Sequence, residues 1–208
     1  MMNKSLVLNY LDEMIPNPKC ELEYSKDYEL LIATILSAQC TDKRVNMVTK
    51  KLWKKYDIFS LANANIKEIE SIIKPCGTHV RKAKYLKDVA IKLVDDYNGI
   101  VPNDRKYIES LPGVGHKTTN LVLSNIFDVP AIAVDTHVTR VTKRLGIAKI
   151  NDDVVKIEKK LMKKVPKEKW GRTHHQLVLF GRYICKAKNP DCDKCLLHDY
   201  CKYFKKKI

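Results

Sequence analysis

The stretch LPGVGHKTTN, residues 111–120, decides how this sequence folds. Two glycines two residues apart precede a lysine and a threonine, a combination also found where proteins bind nucleotide phosphates. A P-loop, however, needs its lysine directly after the second glycine and a strand before the first. Here His116 follows Gly115, and Ile108 and Leu111 share a helical face ahead of the turn. The stretch therefore argues against a P-loop.

A turn between two helices fits the same residues better. Pro112 and Gly113 break the first helix, and the second glycine permits a tight turn. The N–H groups that open the second helix then point outward and, with the helix dipole, suit one DNA phosphate. The alternative is an ordinary turn that packs two helices together and binds no phosphate. We predict sequence-independent DNA contacts at Gly113, Val114, Gly115 and His116.

The charge of the chain favours a nucleic-acid partner. Its 208 residues carry 39 Lys+Arg against 24 Asp+Glu, a formal net charge of +15. Such an excess favours binding to a polyanion, because each neutralised phosphate releases counterions. A lysine-rich composition without such a partner is the alternative. No apolar stretch approaches the roughly 20 residues of a membrane span, and the first residues lack a signal-peptide pattern, so we expect a cytoplasmic protein without a membrane partner.

Apolar residues recur at helical spacing along most of the chain. Residues 79–97 place them on one stripe, and residues 28–38 are apolar on nearly every face. Asp42, Asp135 and Asn151 are predicted to begin helices. No alternating pattern of useful length indicates a strand, so the predicted fold is all-α.

Four of the seven cysteines crowd into the last 24 residues, as Cys185, Cys192, Cys195 and Cys201. Zinc sites usually have two short-spaced pairs, and only one C-x2-C pair is present here. Four thiolates at wider, uneven spacing favour a 4Fe–4S cluster, with zinc and free thiols as alternatives. The four cysteines lie in one segment, residues 185–201, here called the cysteine loop. Lys186 and Lys188 make this loop basic, and we predict that they contact DNA phosphates.

Two further residues are candidates for chemistry. Lys117 is predicted in the first turn of the helix after the glycines, where the helix dipole and partial burial would favour a neutral amine able to form a Schiff base. An ordinary lysine is nevertheless the better interpretation of the residue taken alone. Asp135 is best interpreted as a helix N-cap, and His137 as a surface or capping residue.

Several motifs occur along the chain in one order, and the cysteine spacing follows them: LSAQCTD (36–42), LPGVGHKTTNLVL (111–123), AVDTHVTRV (133–141) and FGRYIC (180–185). This ordered set resembles the endonuclease III family of DNA glycosylases, within the helix–hairpin–helix superfamily. The resemblance covers almost the whole chain. It implies two helical domains: a six-helix domain with the hairpin at 19–130, and a discontinuous iron–sulfur cluster domain formed by 1–18 and 131–208.

The resemblance implies a bifunctional enzyme of base excision repair. It would excise oxidised pyrimidines from duplex DNA, after flipping the damaged nucleotide out of the stack, and cleave the abasic strand by β-elimination. The family's catalytic lysine falls on Lys117, which would form a Schiff base, and its catalytic aspartate falls on Asp135. The four clustered cysteines match the ligands of the family's 4Fe–4S cluster. We expect a monomer that binds double-stranded DNA with damaged bases or abasic sites.

The resemblance also implies DNA contacts, and one of them departs from the family pattern. Gln39 and His137 match residues that approach the gap left by the flipped base. Where the family places a bulky apolar wedge, this chain has Thr78, followed by His79; either the wedge is weaker, or His79 or Val80 replaces it. Two alternatives are an adenine-specific mismatch glycosylase, which generally lacks the lysine, and a non-catalytic DNA-binding iron–sulfur protein.

Overall fold

The computed structural model describes residues 4–206, which form helices and turns with no β-strand, and so confirms the all-α prediction. Its α-helices are α1 (Lys4–Met14), α2 (Asp27–Leu36), α3 (Asp42–Lys55), α4 (Ile58–Asn63), α5 (Ile66–Ile73), α6 (His79–Tyr97), α7 (Arg105–Ser110), α8 (His116–Ile126), α9 (Thr136–Arg144), α10 (Val154–Lys164) and α11 (Trp170–Tyr183). Within the described residues, no helix has the length and apolar character that crossing a bilayer requires.

The chain divides into two compact units. Cys20–Phe127 form one, here called the continuous unit, and the described parts of Met1–Lys19 and Asp128–Ile208 form the other, the discontinuous unit. The outermost ends of the predicted cluster domain, residues 1–3 and 207–208, lie outside the described residues. The continuous unit has seven α-helices instead of the expected six. One of the seven, α4, has only six residues.

The continuous unit is built around α2, which is buried from Tyr28 to Leu36. Helices α3, α6 and α8 pack against it. Complete burial of a leucine or isoleucine side chain contributes about 1.5–3 kcal/mol, and α2 buries several of them. Helix α8 contributes Val122 and Leu123 to this core. The helix that follows the glycine turn is therefore fixed by its apolar face.

The discontinuous unit has its own core, in which α1 and α9 pack against α11. Leu11, Val138 and Phe180 are among the side chains buried there. The buried Gln176 side chain on α11 donates from Nε2 to the Leu11 carbonyl at 3.0 Å and lies 3.0 Å from a carboxylate oxygen of Asp12. Hydrogen bonds from Gln176 and Arg172 lower the pKa of Asp12 to about 2. These polar contacts join α1 to α11.

Helix N-caps fall partly on neighbours of the residues predicted. Asp135 caps α9 as expected: its carboxylate accepts from a backbone N–H at 2.8 Å. The cap of α3 is Thr41, where Asp42 was a candidate, and α10 begins at Val154 after its cap Asp153 instead of at Asn151. In each case the cap is the last residue with extended backbone, which leaves its side-chain oxygen next to the free N–H groups of the first turn.

The turn between α7 and α8 depends on Gly113. Its φ of +76° lies in the left-handed region, and a Cβ at this position would lie 2.6 Å from the ring of Tyr85 on α6. The Val114 N–H closes the turn by donating to the Leu111 carbonyl at 3.1 Å. The turn is thus pressed against α6, which leaves no room for a side chain at residue 113.

We predict that Gly113→Ala lowers the free energy of unfolding by about 2 kcal/mol or more, because left-handed backbone disfavours alanine and the ring must move. Gly115→Ala is the control: its backbone is extended and nothing lies within 4 Å of the added Cβ. That variant should lose less than about 1 kcal/mol. Urea unfolding measures both, and equal losses would contradict this account of the turn.

Candidate functional site

A polar network joins α7 and α8, the two helices that form the hairpin. Arg105 on α7 donates to Glu109 at 3.1 Å and to the Asn120 side chain on α8 at 2.9 Å. His116 completes it, with Nδ1 3.4 Å from the Glu109 carboxylate and Nε2 3.2 Å from the Asn120 amide. The proton on Nδ1 satisfies both contacts of the imidazole. The network therefore holds the start of α8 against α7.

The start of α8 presents backbone N–H groups without side chains in front of them. The first N–H bonded within the helix is that of Thr119, which donates to the Gly115 carbonyl at 3.0 Å. Gly115 has open space where a side chain would be. The N–H groups of His116, Lys117 and Thr118 precede the first intrahelical bond. This arrangement is what an anion site at a helix N-terminus requires.

Lys117 lies in the first turn of α8, as predicted, but the expected partial burial is wrong, because the residue is exposed. The buried face of α8 is formed by Thr119, Val122 and Leu123. At 100° per residue, Lys117 lies on the opposite side of the helix. Its side chain therefore leaves the first turn of α8 on the solvent side, where it can reach a ligand.

Two exposed turns of the continuous unit have unusual backbone. Gln39 has φ +57° and Thr78 has φ +42°, left-handed values that are uncommon for residues other than glycine. His79 then begins α6 half-buried, and Val80 is 56% exposed. The predicted contact residues Gln39 and Thr78 therefore lie at sharply defined corners of the chain, and Val80 presents an apolar side chain to solvent.

In the discontinuous unit, Asp135 follows the buried segment 131–134 and is half-buried. His137 is two residues further on, with Nδ1 3.1 Å from the guanidinium of Arg140. Burial lowers the pKa of His137, against the opposing effect of Asp135. At Gly181 on α11, an added Cβ would lie 2.9 Å from the Cβ of His137. Close packing on α11 thus sets the position of His137.

The four clustered cysteines line one small pocket, together with Phe180, Tyr203 and Phe204. Burial raises the pKa of the Cys195 thiol, and the other three thiols add to this effect. Among residues 4–206, no three metal-binding side chains converge on a point that a single ion could occupy. Four thiolates spread over the wall of one apolar pocket fit the corners of a larger cluster. The residues present therefore fit a 4Fe–4S group.

Two arginines of α9 hold the cysteine loop. Arg140 donates to the carbonyls of Cys185 at 3.0 Å and Gly181 at 2.7 Å. Arg144 donates to the carbonyls of Lys186 at 2.6 Å and Ala187 at 3.1 Å. Its guanidinium also lies 4.1 Å from the ring centroid of Tyr203. The loop is thus attached to α9 through its backbone.

The two lysines predicted to contact DNA differ in their surroundings. Lys186 is half-buried, and its ammonium is paired with Asp191 at 3.0 Å, so a phosphate would compete with this carboxylate. Lys188 is exposed. Of the two, Lys188 is the more available for a phosphate contact.

The sequence did not single out Lys82, Arg140 and Arg144, although all three bind backbone carbonyls. A signal existed for Lys82, which shares the apolar stripe of α6 with Leu86 and is only 4% exposed. A charged residue on a buried face needs partners. No comparable signal marks the two arginines, whose partners lie more than 40 residues away along the chain.

Comparisons with known proteins agree with both the hairpin and the cysteine loop. Residues 32–167 match the family model described as "HhH-GPD superfamily base excision DNA repair protein". Residues 185–201 match the model described as "Iron-sulfur binding domain of endonuclease III". The hairpin and the cysteine loop thus define a base excision DNA repair protein of the helix–hairpin–helix class.

Individual relatives show which family within this class the chain resembles. The chain is 48% identical to endonuclease III of Bacillus subtilis (strain 168) over 199 residues, which covers 94% of this chain and 90% of the relative. It is 41% identical to endonuclease III of Escherichia coli (strain K12) over 201 residues, 96% of this chain and 95% of the relative.

Two solved structures are also similar. One is a trapped endonuclease III–DNA covalent intermediate, with a TM-score of 0.93 and 47% identity, and the other is a non-covalent endonuclease III–DNA complex, with a TM-score of 0.95 and 46% identity. Both matches cover 100% of this chain and 99% of the solved chain. The chain belongs to the endonuclease III family. It is a base excision repair DNA glycosylase and AP lyase that binds DNA and carries a 4Fe–4S cluster.

We predict that Arg144→Met weakens the cluster site, because two loop carbonyls lose their donor and the contact with Tyr203 is lost. Visible absorption of the purified protein, followed in the presence of an iron chelator, should decay several-fold faster than in wild type. Lys143→Met, which removes the same charge from the adjacent position of α9, should leave the decay rate unchanged. Equal decay in both variants would show that Arg144 has no part in holding the loop.

Proposed function

We propose that the chain removes oxidised pyrimidines from double-stranded DNA with Lys117 as the nucleophile and Asp135 as the assisting carboxylate. The observation that carries the proposal is the exposed Lys117 side chain in the first turn of α8, where the backbone N–H groups precede the first intrahelical bond. The covalent endonuclease III–DNA intermediate solved for a relative at 47% identity supports a nucleophile that bonds to DNA.

Binding is the first step of the proposal. The N–H groups at the start of α8 accept one backbone phosphate, an interaction that does not depend on base sequence. The net charge of +15 strengthens attraction to the duplex at low salt. The Glu109–His116–Asn120 network keeps the hairpin in place while the phosphate binds. The hairpin thus sets the strand at a fixed distance from Lys117.

The chemical step is an attack by the Lys117 amine. Its nitrogen bonds to C1′ of the flipped nucleotide while the bond from C1′ to the damaged base breaks. The C1′–O4′ bond then breaks as the nitrogen forms the double bond of the Schiff base, and the proton given up by the nitrogen is taken up by O4′. Loss of a proton from C2′ expels the 3′ phosphate oxygen, which is β-elimination. An abasic site enters the same sequence through its free C1′ aldehyde.

Asp135 supplies negative charge in this proposal. The N–H of Val138 donates to Oδ1 at 2.8 Å, which fixes the carboxylate and leaves Oδ2 for the reaction. A carboxylate held in this way stabilises the positive charge that develops at C1′ as the base departs. The helix cap and the catalytic role are compatible, because they use different oxygens.

We also propose that the enzyme acts as a monomer in the cytoplasm, where reducing conditions keep cluster thiolates available.

We predict that Lys117→Ala abolishes the covalent adduct that wild type forms with abasic-site DNA in the presence of borohydride, because the adduct requires the amine. Gel electrophoresis detects the adduct. Lys106→Ala, an exposed lysine on the other helix of the hairpin, is the matched control and should trap as wild type does.

The companion variant is Asp135→Asn, in which the amide oxygen can still accept from Val138 and so preserve the cap. Its turnover on oxidised pyrimidines should fall about 100-fold or more while DNA affinity changes little. A failure of wild type to form the adduct despite binding DNA would exclude the lysine mechanism. A parallel fall of affinity and turnover in Asp135→Asn would reduce Asp135 to a structural cap.

We further propose that Val80 is the wedge that enters the duplex beside the flipped nucleotide. Thr78 is polar, His79 is half-buried at the start of α6, and Val80 exposes 56% of its surface in the first turn of that helix. Apolar side chains inserted between base steps are a common means of unstacking DNA. Val80 is therefore the apolar side chain of this turn best placed to do so.

We predict that Val80→Ala slows base removal about tenfold but slows adduct formation on abasic DNA much less, since no stacked base must then be expelled. Single-turnover kinetics on the two substrates measure the difference. Ile91→Ala, another exposed apolar residue of α6, should change neither rate. If Val80→Ala slows both substrates equally, the side chain serves general binding and is not a wedge.

A further inference from the structure

We infer that Lys82 is a positioning residue that holds two DNA-facing turns, residues 36–40 and 76–79, in one fixed arrangement. The inference deepens the proposed function and rests on it, because it assumes that both turns enter the damaged duplex. Lys82 is on α6 and does not itself contact DNA in this proposal, since it is only 4% exposed.

The contacts of Lys82 match its chemistry. An ammonium has three N–H donors, and Nζ lies 2.9 Å from the Leu36 carbonyl, 2.8 Å from the Ala38 carbonyl and 2.8 Å from the Cys76 carbonyl. Two of these acceptors belong to the first turn and one to the second. A single buried group therefore connects segments more than 35 residues apart in sequence.

Burying this charge is costly and calls for a reason. Among the described residues, the cation has carbonyl partners and no carboxylate within ion-pair distance. Burial lowers the pKa of Lys82, which shows that the fold disfavours its charged form. A methionine or leucine would fill the same space without that penalty. The carbonyl contacts are thus the property that an apolar residue cannot supply.

Both turns contain backbone that needs external support. Gln39 follows the acceptor Ala38 and has φ +57°, and Thr78 lies two residues after the acceptor Cys76 and has φ +42°. Left-handed conformations of such residues are unfavourable and persist where the surroundings impose them. Lys82 imposes them at both turns, because its donors fix the carbonyls just before the two corners.

The consequence is that Gln39 and the Thr78–Val80 segment are presented to DNA together. Two groups that enter one gap in a duplex lose less entropy on binding when their relative position is already set. Without Lys82 each turn would have to be ordered by the DNA itself. Opening of the duplex would suffer, whereas the phosphate contact at the start of α8, which belongs to another helix, would not.

Lys87 provides a matched control. It is on the same helix, is half-buried, and its Nζ donates to one carbonyl, that of Ala64, at 2.9 Å. Removing its amine tests the loss of a part-buried lysine–carbonyl contact on α6 without touching either turn. A purely structural role for Lys82 predicts that the two lysines behave alike, apart from the size of the stability loss.

The experiment compares Lys82→Met, Lys82→Arg and Lys87→Met with the cluster-loaded wild type. For each folded protein, two rates are measured: base removal from duplex DNA with an oxidised pyrimidine, and borohydride trapping on abasic DNA. Their ratio should fall about tenfold or more in Lys82→Met, stay within about twofold in Lys87→Met, and recover at least partly in Lys82→Arg. Equal ratios in the two methionine variants would overturn the inference.

Two further outcomes are also decisive. If Lys82→Met does not fold, hydrogen exchange of wild type takes its place: the two turns must open with the same protection, and independent opening overturns the inference. If wild type forms no adduct at all, the proposed lysine mechanism fails by itself. Lys82 is then judged by affinity for a duplex containing a stable abasic analogue, relative to undamaged DNA, with the same comparison of variants.

Discussion

Helix α2 is enclosed by α3, α6 and α8, and burial of its side chains is the interaction on which the rest of the continuous unit depends. It fixes α8, and so directs the start of that helix, with Lys117, outward from the core. It also ends at Leu36, whose carbonyl accepts one of the bonds from Lys82. The α7–α8 hairpin and the turn at residues 36–40 are therefore both positioned by the same apolar helix.

Helix α9 has a comparable role in the discontinuous unit. Its first turn is capped by Asp135, and further along it Arg140 and Arg144 hold the cysteine loop by backbone carbonyls. A shift of α9 would therefore move the proposed catalytic carboxylate and the cluster loop together.

Much of this could be predicted from the sequence, because helical periodicity and turn chemistry are local properties. Residues 79–97 were predicted as a helix and form α6 with those bounds. The cap at Asp135 and the turn at Gly113 followed from residue type for the same reason. The role of Lys117 did not: its type and spacing suited an ordinary lysine, and only the ordered motifs of a family suggested a nucleophile.

The remaining features depend on contacts between distant parts of the chain. The burial of Lys117 was predicted wrongly because exposure depends on which face of α8 meets α2. The capping of α3 by Thr41 in place of Asp42 depends on where the backbone leaves the extended region, which either residue type permits. The partners of Lys82, Arg140 and Arg144 are backbone carbonyls, which every residue has, so no pattern of side chains could have identified them.

The discontinuity of the second unit has a consequence for synthesis. Helix α1 is made before the other described helices, but Leu11 belongs to a core cluster to which α9 and α11 contribute Val138 and Phe180. The continuous unit can fold as soon as it leaves the ribosome, since its core is complete within one uninterrupted stretch of chain. Helix α1 cannot complete the packing of its apolar side chains until α9 and α11 have been made. The order in which this chain folds is thus not the order in which it is made.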